Sequence, residues 1–465
     1  MTSWSKKFRP TASSFILKSD KKVSEKLGTQ ESTVITAIIV GAGHRALAYA
    51  RLAELQPERF KIVGVADPNP LRRKMTAERF GFGSSMCFEN AAELAQKGKL
   101  ADAVINGTMD EDHVPTALPL LEAGYHILLE KPFAVSEEEV WQLRDAVKRT
   151  KRRVMICHVL RYAPFYTEIK KRVLNGEIGE IIHIHTSEHV SYHHMVNSFV
   201  RGKWRRQDVC KSSMLMAKCC HDLDLISWFL SGVQPIRLSS LGGRKLFCAE
   251  KAPPDSGSCC LVDCPLVDKC TYSTRQINLN HPKRWAMYVW AGIEHIKNPT
   301  MADYTAYLSC RDNPFARCAW KMDNNVVDRQ SVIIEFANGA LATHDLVAGS
   351  SRGCRKIHII GTLGEIEGSM EDSMFTVRRI NTAPGHEFDS EKISLKDEGD
   401  TTGAFGGHGG GDIRLIDDFV ASLEGHAPSI SCTTLEDSIN GHLIGFLADK
   451  AMNEHRIVDF LNDPR

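Results

Sequence analysis

The chain has 465 residues, of which 25% are charged, and a formal net charge of +1 at pH 7. That length exceeds what one hydrophobic core usually supports and predicts two domains. The balanced charge argues against a nucleic-acid partner, and the lack of an apolar run of roughly 20 residues argues against a membrane partner. The 14 cysteines do not form a short secreted disulfide framework, so we expect a reducing, cytoplasmic compartment.

The first 32 residues are polar and rich in lysine. Such a composition is typical of a flexible tail, because it offers too little apolar surface to fold. A basic mitochondrial presequence would look similar, and the sequence leaves that alternative open.

A buried strand and a glycine-rich turn open the first predicted domain. Residues 33–40, Thr-Val-Ile-Thr-Ala-Ile-Ile-Val, suit a parallel strand buried on both faces. After them, Gly41 allows a tight turn, Gly43 lets a pyrophosphate approach, and Ala46 packs a helix close to the strand. A plain strand-to-helix turn would also explain the glycines, but the ordered context favours a dinucleotide site. The residues predicted to bind the dinucleotide here are Gly41, Gly43, His44 and Arg45.

A second strand, which begins at Lys61, ends in Asp67. This acid lies at the distance expected of the carboxylate that binds the adenosine ribose hydroxyls. An aspartate that only forms a turn before Pro68 is the alternative explanation. Because a carboxylate disfavours a 2′-phosphate, we expect NAD as the cofactor. Arg72 and Arg73 follow closely and could offset that charge, so NADP stays open.

Strands and helices then alternate to residue 162. Further strands are predicted at 85–88, 102–108, 125–129 and 153–160. This alternation is the α/β pattern of a doubly wound parallel sheet. The polar residues that follow these strands include Thr108, His113, Glu130 and Lys131. Ligands of open α/β sheets bind at the carboxyl ends of the strands, so these residues are candidates for a binding site.

After residue 163 the pattern changes. Residues 180–189 alternate between apolar and polar, with Ile182, Ile184 and Thr186 on one predicted face, which is typical of an antiparallel sheet covered on one side. The histidine-bearing face needs either solvent or a partner subunit. Further strands are predicted at 331–336, 341–347, 355–360 and 364–369, further helices at 164–174, 412–423 and 435–452, and a glycine-rich loop at 402–411.

One more helix, capped by Ser212 or Ser213, is predicted to run to Leu230. The predicted layout is therefore a tail over 1–32, a first domain over 33–162 and a second domain over 163–465.

Together these motifs resemble the glucose-fructose oxidoreductase and inositol dehydrogenase family, Gfo/Idh/MocA. The motifs that carry the resemblance are Gly41-Ala-Gly43, Ala66-Asp67, Glu130-Lys131-Pro132, His221-x-x-Asp224 and Gly361-Thr-x-Gly364. The resemblance implies an N-terminal Rossmann domain and a C-terminal α+β domain with an open, mostly antiparallel sheet, through which many members form homodimers or homotetramers. It also implies NAD(P)-dependent oxidation or reduction of a sugar, sugar acid or polyol.

The resemblance implies that Lys131 and His221 flank the reacting carbon, and that Thr108, His113 and Glu130 contact the cofactor. A histidine can take a hydroxyl proton at neutral pH while hydride leaves. A lysine ammonium group can stabilise the charge that develops on the oxygen.

One position departs from the family pattern. Many members carry Asp four residues before the catalytic histidine, and this chain has Ala217 there, followed by Lys218. The usual Asp–His relay is therefore absent or replaced. Lys218 could pair with Asp222 one turn later, or it could lie near Lys131 and lower the pKa of one of the two lysines.

Several polar or aromatic residues are predicted to bind the substrate. Arg161 and Tyr162 follow the last strand of the first sheet, although a domain-boundary ion pair would equally explain the arginine. Trp204 could stack on a sugar ring. The complete predicted set is Arg161, Tyr162, Trp204, Lys218 and Asp224.

A cysteine-rich loop is predicted over residues 248–270. It contains Cys248, Cys259, Cys260, Cys264 and Cys270. Clustered thiolates in a loop with little core can bind structural zinc. The spacing is not the usual Cys-x-x-Cys and no fourth ligand is identified, so free thiols are the simpler interpretation and we expect no metal.

Two further functions stay open beside a dehydrogenase. A tightly bound NAD could assist glycoside cleavage with no net redox change, as in some relatives of this fold, and Ala217 leaves room for that. Net turnover of NAD would separate the two. The third function is a non-enzymatic sensor that binds NAD or sugar, and the presence of both Lys131 and His221 counts against it.

Overall fold

The structure is a computed structural model that describes residues 34–395 and 409–460. The predicted tail over 1–32 and most of the glycine-rich loop over 402–411 lie outside the described residues. Within the described ranges, no helix is both long enough and apolar enough to cross a membrane.

The first sheet has six parallel strands in the order β3-β2-β1-β4-β5-β6. They are β1 (Ile35–Val40), β2 (Phe60–Ala66), β3 (Cys87–Phe88), β4 (Ala103–Asn106), β5 (His126–Leu129) and β6 (Val154–Ile156). The doubly wound parallel sheet is confirmed. The strand predicted at 85–88 is shorter than expected, because a 3₁₀ turn occupies Ser84–Met86.

Helices cover both faces of this sheet. They are α1 (His44–Ala50), α2 (Leu52–Leu55), α3 (Pro70–Phe80), α4 (Ala91–Gln96), α5 (His113–Glu122) and α6 (Glu137–Thr150). Two separate apolar clusters result, one on each side of the strands. The strands are buried on both faces as a consequence, which explains their nearly continuous apolar sequence.

The second sheet has nine strands in the order β14-β13-β12-β11-β7-β10-β9-β8-β15. They are β7 (Ile181–Ser191), β8 (Pro235–Gly243), β9 (Arg329–Phe336), β10 (Leu341–Ser350), β11 (Cys354–Gly361), β12 (Gly364–Ser369), β13 (Met374–Ile380), β14 (Phe388–Ser394) and β15 (Val458–Asp459). The pairings are antiparallel except that β7 and β10 are parallel. The open, mostly antiparallel sheet is confirmed.

One detail of β7 differs from its predicted alternation. Ile184 and Thr186 are buried, but Ile182 is 51% exposed. The register between β7 and β11 shifts at this point, so that Ile181 and not Ile182 pairs with Gly361. Ile181 therefore turns inward and Ile182 outward.

The remaining helices are α7 (Pro164–Leu174), α8 (Tyr192–His194), α9 (Gln207–Cys210), α10 (Met214–Phe229), α11 (Ala286–Val289), α12 (Met301–Tyr307), α13 (Gly411–Leu423) and α14 (Leu435–Glu454). The cap of α10 is confirmed as Ser213, whose hydroxyl accepts a hydrogen bond from the Met216 N–H at 3.2 Å. Helix α10 is buried almost all round and packs against the second sheet and α14. Its Lys218 and His221 line a cavity to which Gly43 and Lys131 of the first domain also contribute.

Helix α13 packs on the first sheet although it follows strands β7 to β14 of the second sheet in the chain. Leu415 and Phe419 belong to the apolar cluster on the α1 side of β1. The predicted boundary at residue 162 stays a prediction. The apolar core around the first sheet also includes residues of this later helix.

The segment between β8 and β9, residues 244–328, is here called the insert. It consists of turns and short helices, and it has a small apolar core of its own made of Leu279, Val289, Trp290, Ile293, Leu308 and Phe315. The cysteine-rich loop lies within it.

Candidate functional site

Most of the predicted site residues line one cavity of about 500 Å³. Those it brings together are Gly43, His44, Arg45, Thr108, His113, Glu130, Lys131, Trp204, Lys218 and His221. A second cavity of about 660 Å³ adjoins it and shares Gly43, His44, Lys203, Trp204 and Tyr288. The glycine-rich turn therefore stands where the two cavities meet.

The two glycines of the turn are required for different reasons. Gly41 has a φ of 77°, and a Cβ there would lie 2.8 Å from the backbone of Gly107 and Thr108. A Cβ on Gly43 would meet nothing within 4 Å. Gly41 thus serves the fold, whereas the open space at Gly43 leaves room for a ligand against the backbone. That space fits the pyrophosphate of a dinucleotide.

The Asp67 carboxylate ties the end of β2 to the glycine turn. Its Oδ2 accepts a hydrogen bond from the Ala42 N–H at 2.7 Å, and its Oδ1 accepts one from the Asn69 N–H at 2.8 Å. Asp67 is buried and lines neither cavity. Its contact with a ribose hydroxyl stays a prediction, and its contacts in the structure hold the turn in place.

The two arginines after Asp67 are both engaged. Arg72 Nε lies 3.2 Å from Oε1 of Glu294, a residue of the insert, and Asn69 Nδ2 donates to the same oxygen at 3.0 Å. Arg73 donates to the backbone oxygen of Asp67 at 2.6 Å. The Arg72 guanidinium is therefore already paired with a carboxylate of the insert.

Glu130 lies at the centre of a buried ionic network. Its Oε1 accepts hydrogen bonds from Arg45 Nε at 2.9 Å and from the Tyr49 hydroxyl at 2.6 Å. Burial opposes ionisation, but the charges of Arg45 and Lys131 lower the pKa of Glu130 to about 2. Arg45 also binds Asp412 of α13 at 2.6 Å. Glu130 is therefore a fixed carboxylate whose partner is Arg45.

The Lys131 ammonium group reaches across the cavity. Its Nζ donates to the backbone oxygen of Ala217 at 2.9 Å. Within the described part of the chain, no carboxylate lies within 4.0 Å of this nitrogen. Ala217 thus contributes a neutral backbone carbonyl that holds the lysine. The positive charge stays uncompensated by a direct ion pair.

His221 and His113 both border the cavity from buried positions. His221 is 3% exposed, and its ring stands edge-on to His158 at 5.8 Å between ring centres. His113 Nδ1 donates to the Pro132 carbonyl at 2.7 Å. Its Nε2 is buried and has no partner among the described residues. A buried ring nitrogen without a partner can accept a hydrogen bond from a polar group of a ligand in the cavity.

The opposite wall holds a second ionic network. Lys218 Nζ lies 3.2 Å from Glu188 Oε1, and Arg355 Nε lies 2.8 Å from Glu188 Oε2 and 3.2 Å from Asp222 Oδ1. The Lys218–Asp222 pair, one of the two arrangements that the sequence left open, does not form, because each residue takes a partner from the second sheet. Burial lowers the pKa of Lys218, and the Glu188 charge opposes that shift.

Three residues predicted to bind substrate lie elsewhere. Arg161 and Asp224 form a buried two-point ion pair at 2.7 and 2.6 Å. Arg161 borders a separate cavity of about 870 Å³, and Asp224 lines no cavity of this site. The Tyr162 hydroxyl donates to Asp418 of α13 at 2.7 Å. Arg161 and Asp224 are buried charges, and each one requires the other as its partner. Neither side chain is therefore available to bind a substrate.

Two aromatic residues of the insert, Trp285 and Tyr288, line the cavity. Trp285 stacks on His194 with ring centres 4.0 Å apart, and Tyr288 packs edge-on to His44 at 5.0 Å. Trp204 packs edge-on to Tyr288 at 5.7 Å, and its Nε1 donates to Asp110 Oδ2 at 3.0 Å. The predicted sugar-stacking residue is therefore part of an aromatic group at the junction of the two cavities.

Sequence reasoning missed Glu188 and Arg355, although a signal for both was present. Glu188 shares the buried face of β7 with Ile184 and Thr186, and Arg355 shares that of β11 with Ile357. A charge at a buried period-two position requires a partner. The missed Trp285 and Tyr288 had no comparable signal, since the insert has no periodic pattern.

Two family models match the chain. Residues 35–158 match the model of an oxidoreductase family with an NAD-binding Rossmann fold. Residues 170–460 match the model of the C-terminal α/β domain of the same family. The two matches together span nearly all of the described residues.

Individual relatives agree with these matches. The chain is 24% identical to YteT of Bacillus subtilis (strain 168) over 397 residues, which is 82% of this chain and 87% of the relative. It is 31% identical to the glucose-6-phosphate 3-dehydrogenase of the same strain over 197 residues, 41% of this chain and 52% of the relative. The structure of levoglucosan dehydrogenase in complex with NADH and levoglucosan superposes with a TM-score of 0.64 at 18% identity, covering 92% of this chain and 100% of that one. At that identity the likeness shows the fold.

Proposed function

Since the chain belongs to the Gfo/Idh/MocA oxidoreductase family, we propose that it is an NAD-dependent dehydrogenase that acts on a hydroxyl group of a sugar, sugar acid or polyol. One observation carries the proposal: Lys131 and His221 line the same cavity as Gly43 of the dinucleotide turn. A candidate proton acceptor, a cation and the glycine-rich turn thus line one cavity.

NAD, when bound, accepts the hydride that leaves the substrate carbon. Its phosphates are proposed to lie against the backbone of Gly41 and Gly43, and its adenosine ribose near Asp67. His113 Nε2 is a buried atom without a partner that suits a polar group of the ligand. The Asn69–Glu294–Arg72 bridge disfavours a 2′-phosphate, which supports NAD over NADP.

His221 is proposed to take the hydroxyl proton from the substrate. Lys131 is proposed to donate a hydrogen bond to the same oxygen and to stabilise its developing negative charge. The Ala217 carbonyl, 2.9 Å from Lys131 Nζ, keeps the ammonium group in the cavity. A positioned acid or base of this kind contributes about 10²–10⁴-fold in rate.

A carbohydrate substrate is supported by the lining of the cavity. Lys131, Lys218 and Arg355 offer donors, Glu188 and Asp110 offer acceptors, and Trp204 offers an aromatic face. Such a mixed lining suits a small ligand with many hydroxyl groups. The 31% identical glucose-6-phosphate 3-dehydrogenase and the structural likeness to levoglucosan dehydrogenase agree with this class.

The test is net turnover of the cofactor. The purified protein is mixed with NAD and a panel of sugars, sugar acids and polyols, and NADH is followed by its absorbance while products are identified by mass. We expect NADH and oxidised product in equal amounts for one substrate group. Cleavage of a glycoside without net NADH would indicate the redox-neutral alternative. NAD binding with no reaction across the panel would indicate a sensor.

We also propose a homodimer or homotetramer formed through the outer face of the second sheet. Ile333 of β9 and Leu341 and Val347 of β10 are exposed on that face. Exposed apolar residues on neighbouring strands are typical of an interaction surface. Light scattering at micromolar concentration is expected to report a multiple of 51.8 kDa, and a monomer mass would contradict the proposal.

A further inference from the structure

The cavity of about 660 Å³ beside the glycine-rich turn, here called the adjoining cavity, is lined by two distant parts of the chain. Gly43, Leu47 of α1 and Met75 of α3 line it from the first domain. Met287 and Ala291 line it from the insert. The first domain and the insert therefore share one space, which lies next to the cavity of Lys131.

Polar contacts bind the insert to the first domain at this cavity. Glu294 Oε1 lies 3.2 Å from Arg72 Nε and accepts a hydrogen bond from Asn69 Nδ2 at 3.0 Å. The Tyr288 hydroxyl lies 3.3 Å from His44 Nε2. His44 is the first residue of α1, and Asn69 caps α3. These contacts therefore hold the insert against the starts of two helices of the first domain.

The insert side of the adjoining cavity is apolar and held in place by packing. Trp290, Ile293 and Phe315 line the cavity and also belong to the small apolar core of the insert. Side chains that a core already fixes lose little further freedom when a ligand binds against them. Met287 lines the cavity from outside that core, and its flexible, polarizable side chain can adapt to a flat ring. The insert thus offers a largely preformed apolar surface.

The position of Gly43 indicates which half of a dinucleotide this surface would meet. Gly43 lines both the adjoining cavity and the cavity of Lys131 and His221. A dinucleotide has two nucleotide halves joined by the pyrophosphate, which the glycine turn is proposed to hold. Hydride transfer requires the nicotinamide beside Lys131 and His221, so the adenosine half falls to the adjoining cavity. Ala42, whose N–H donates to Asp67, also lines that cavity, which agrees with a ribose near this carboxylate.

We propose that the insert forms one side of the adenosine site, with Met287, Trp290 and Ile293 against the adenine ring. The inference rests on the proposed NAD cofactor and adds the part of the chain that binds its adenosine half. An adenine ring has apolar faces and a polar edge, and burying such a face against apolar side chains is favourable. The volume of about 660 Å³ lies within the roughly 300–1,000 Å³ that small-molecule sites occupy.

The test fills the insert side of the cavity with a larger side chain. Ala291→Trp adds an indole at a residue that lines the cavity, and Ala302→Trp makes the same change at an exposed residue of α12 in the insert. Calorimetric titration measures the affinity of each full-length chain for NAD, ADP-ribose and nicotinamide mononucleotide. We expect Ala291→Trp to weaken NAD and ADP-ribose at least roughly tenfold and to leave nicotinamide mononucleotide unchanged. Ala302→Trp is expected to leave all three affinities unchanged.

The other outcomes separate this inference from the proposed function. Equal affinities of Ala291→Trp and the wild type for ADP-ribose would overturn the inference and leave the proposed NAD-dependent function in place. A loss for nicotinamide mononucleotide as large as that for ADP-ribose would show that the wrong half was assigned to this cavity, and would also overturn the inference alone. A wild-type chain that binds neither NAD nor ADP-ribose would overturn the inference together with the proposed cofactor.

A second measurement uses the wild-type chain, in case Ala291→Trp does not fold. Methionines are oxidised with dilute peroxide in the presence and absence of ADP-ribose, and the sulfoxides are mapped by mass. Met287 of the insert and Met75 of α3 line the cavity, so ADP-ribose is expected to slow the oxidation of both at least roughly threefold. Met301, which is 51% exposed like Met75 but does not line the cavity, is the matched control and is expected to react equally in both states. Protection of Met75 alone, or of neither Met75 nor Met287, would overturn the inference.

Discussion

The two walls of the cavity use the same residue types in opposite ways. The first wall has Lys131, Glu130 and Arg45, and the second has Lys218, Glu188 and Arg355. On the first wall the arginine satisfies the glutamate, and the lysine nitrogen goes to a neutral carbonyl. On the second wall the glutamate binds the lysine as well as the arginine.

The difference supports the proposed role of Lys131, and not Lys218, as the ammonium group that meets the substrate. Lys131 Nζ donates to a neutral carbonyl, so no carboxylate of the described residues compensates its positive charge. A substrate oxygen that gains negative charge next to it would therefore be stabilised by a full cation. Lys218 already has a carboxylate 3.2 Å away, which neutralises most of that attraction. The two walls contain the same three residue types but leave their lysines in different states. The lysine is paired on the second wall, where the glutamate binds both cations, and has no ion-pair partner among the described residues on the first wall, where the glutamate binds the arginine.

The largest expected effect comes from removing one lysine charge at a time. Lys131→Met keeps the chain length but removes the cation, and turnover is expected to fall about 10²–10⁴-fold with NAD binding retained. Lys218→Met is expected to lower turnover much less and to destabilise the fold, because Glu188 loses a partner. Steady-state kinetics, calorimetric NAD titration and thermal unfolding measure these effects. Equal turnover losses in both variants at unchanged stability would remove the distinction between the walls.

The second effect concerns the carboxylate of the first wall. The pKa of Glu130 is lowered to about 2, so its ionised form stabilises the fold above its ordinary pKa of 4.5, and that contribution is lost as pH falls from 4.5 toward 2. Glu130→Gln is expected to cost about 3 kcal/mol at pH 7, and the curves of variant and wild type converge in acid. Urea unfolding between pH 3 and pH 7 measures the difference.

The control for that variant is Glu122→Gln, which alters an exposed pair with Arg149. It is expected to change stability by less than about 0.5 kcal/mol. If the stability difference between Glu130→Gln and wild type stays the same in acid, the loss comes from the changed shape of the side chain and not from its charge.

A third change places a carboxylate between the walls. Ala217→Asp adds an acid one turn before His221, on the residue whose carbonyl holds Lys131. A nearby negative charge favours the protonated imidazole, so the acidic limb of the kcat/KM profile is expected to move up by roughly one pH unit. Ala217→Asn is the uncharged control of matched size. An unchanged limb in the Asp variant would indicate that the base is not His221.

The smallest expected effect lies at the adenosine end of the site. Glu294→Gln removes the charge that pairs with Arg72, so Arg72 becomes available to a 2′-phosphate. The affinity for NADP relative to NAD is expected to rise about fivefold, which corresponds to about 1 kcal/mol. Titration of both cofactors measures it. The same change in an Arg72→Ala background is expected to have no effect, and an equal rise there would assign the preference to another residue.

The sequence by itself predicted the first sheet and many of the residues that line the candidate cavity. Strand periodicity, the glycine spacing and the Glu130-Lys131-Pro132 motif are local signals, because backbone conformation depends on near neighbours. Since the carboxyl ends of parallel strands meet at one edge, those signals also placed Gly43, Thr108 and Lys131 at one cavity.

Tertiary structure alone decided which distant charges and thiols meet. Lys218 pairs with Glu188 instead of Asp222, and Arg161 turns to Asp224 instead of a substrate. Cys318 joins the cysteine loop through hydrogen bonds between segments far apart in the chain. Local sequence carries no record of these choices, because burial makes each charged or polar group depend on whatever partner the packing of remote elements supplies.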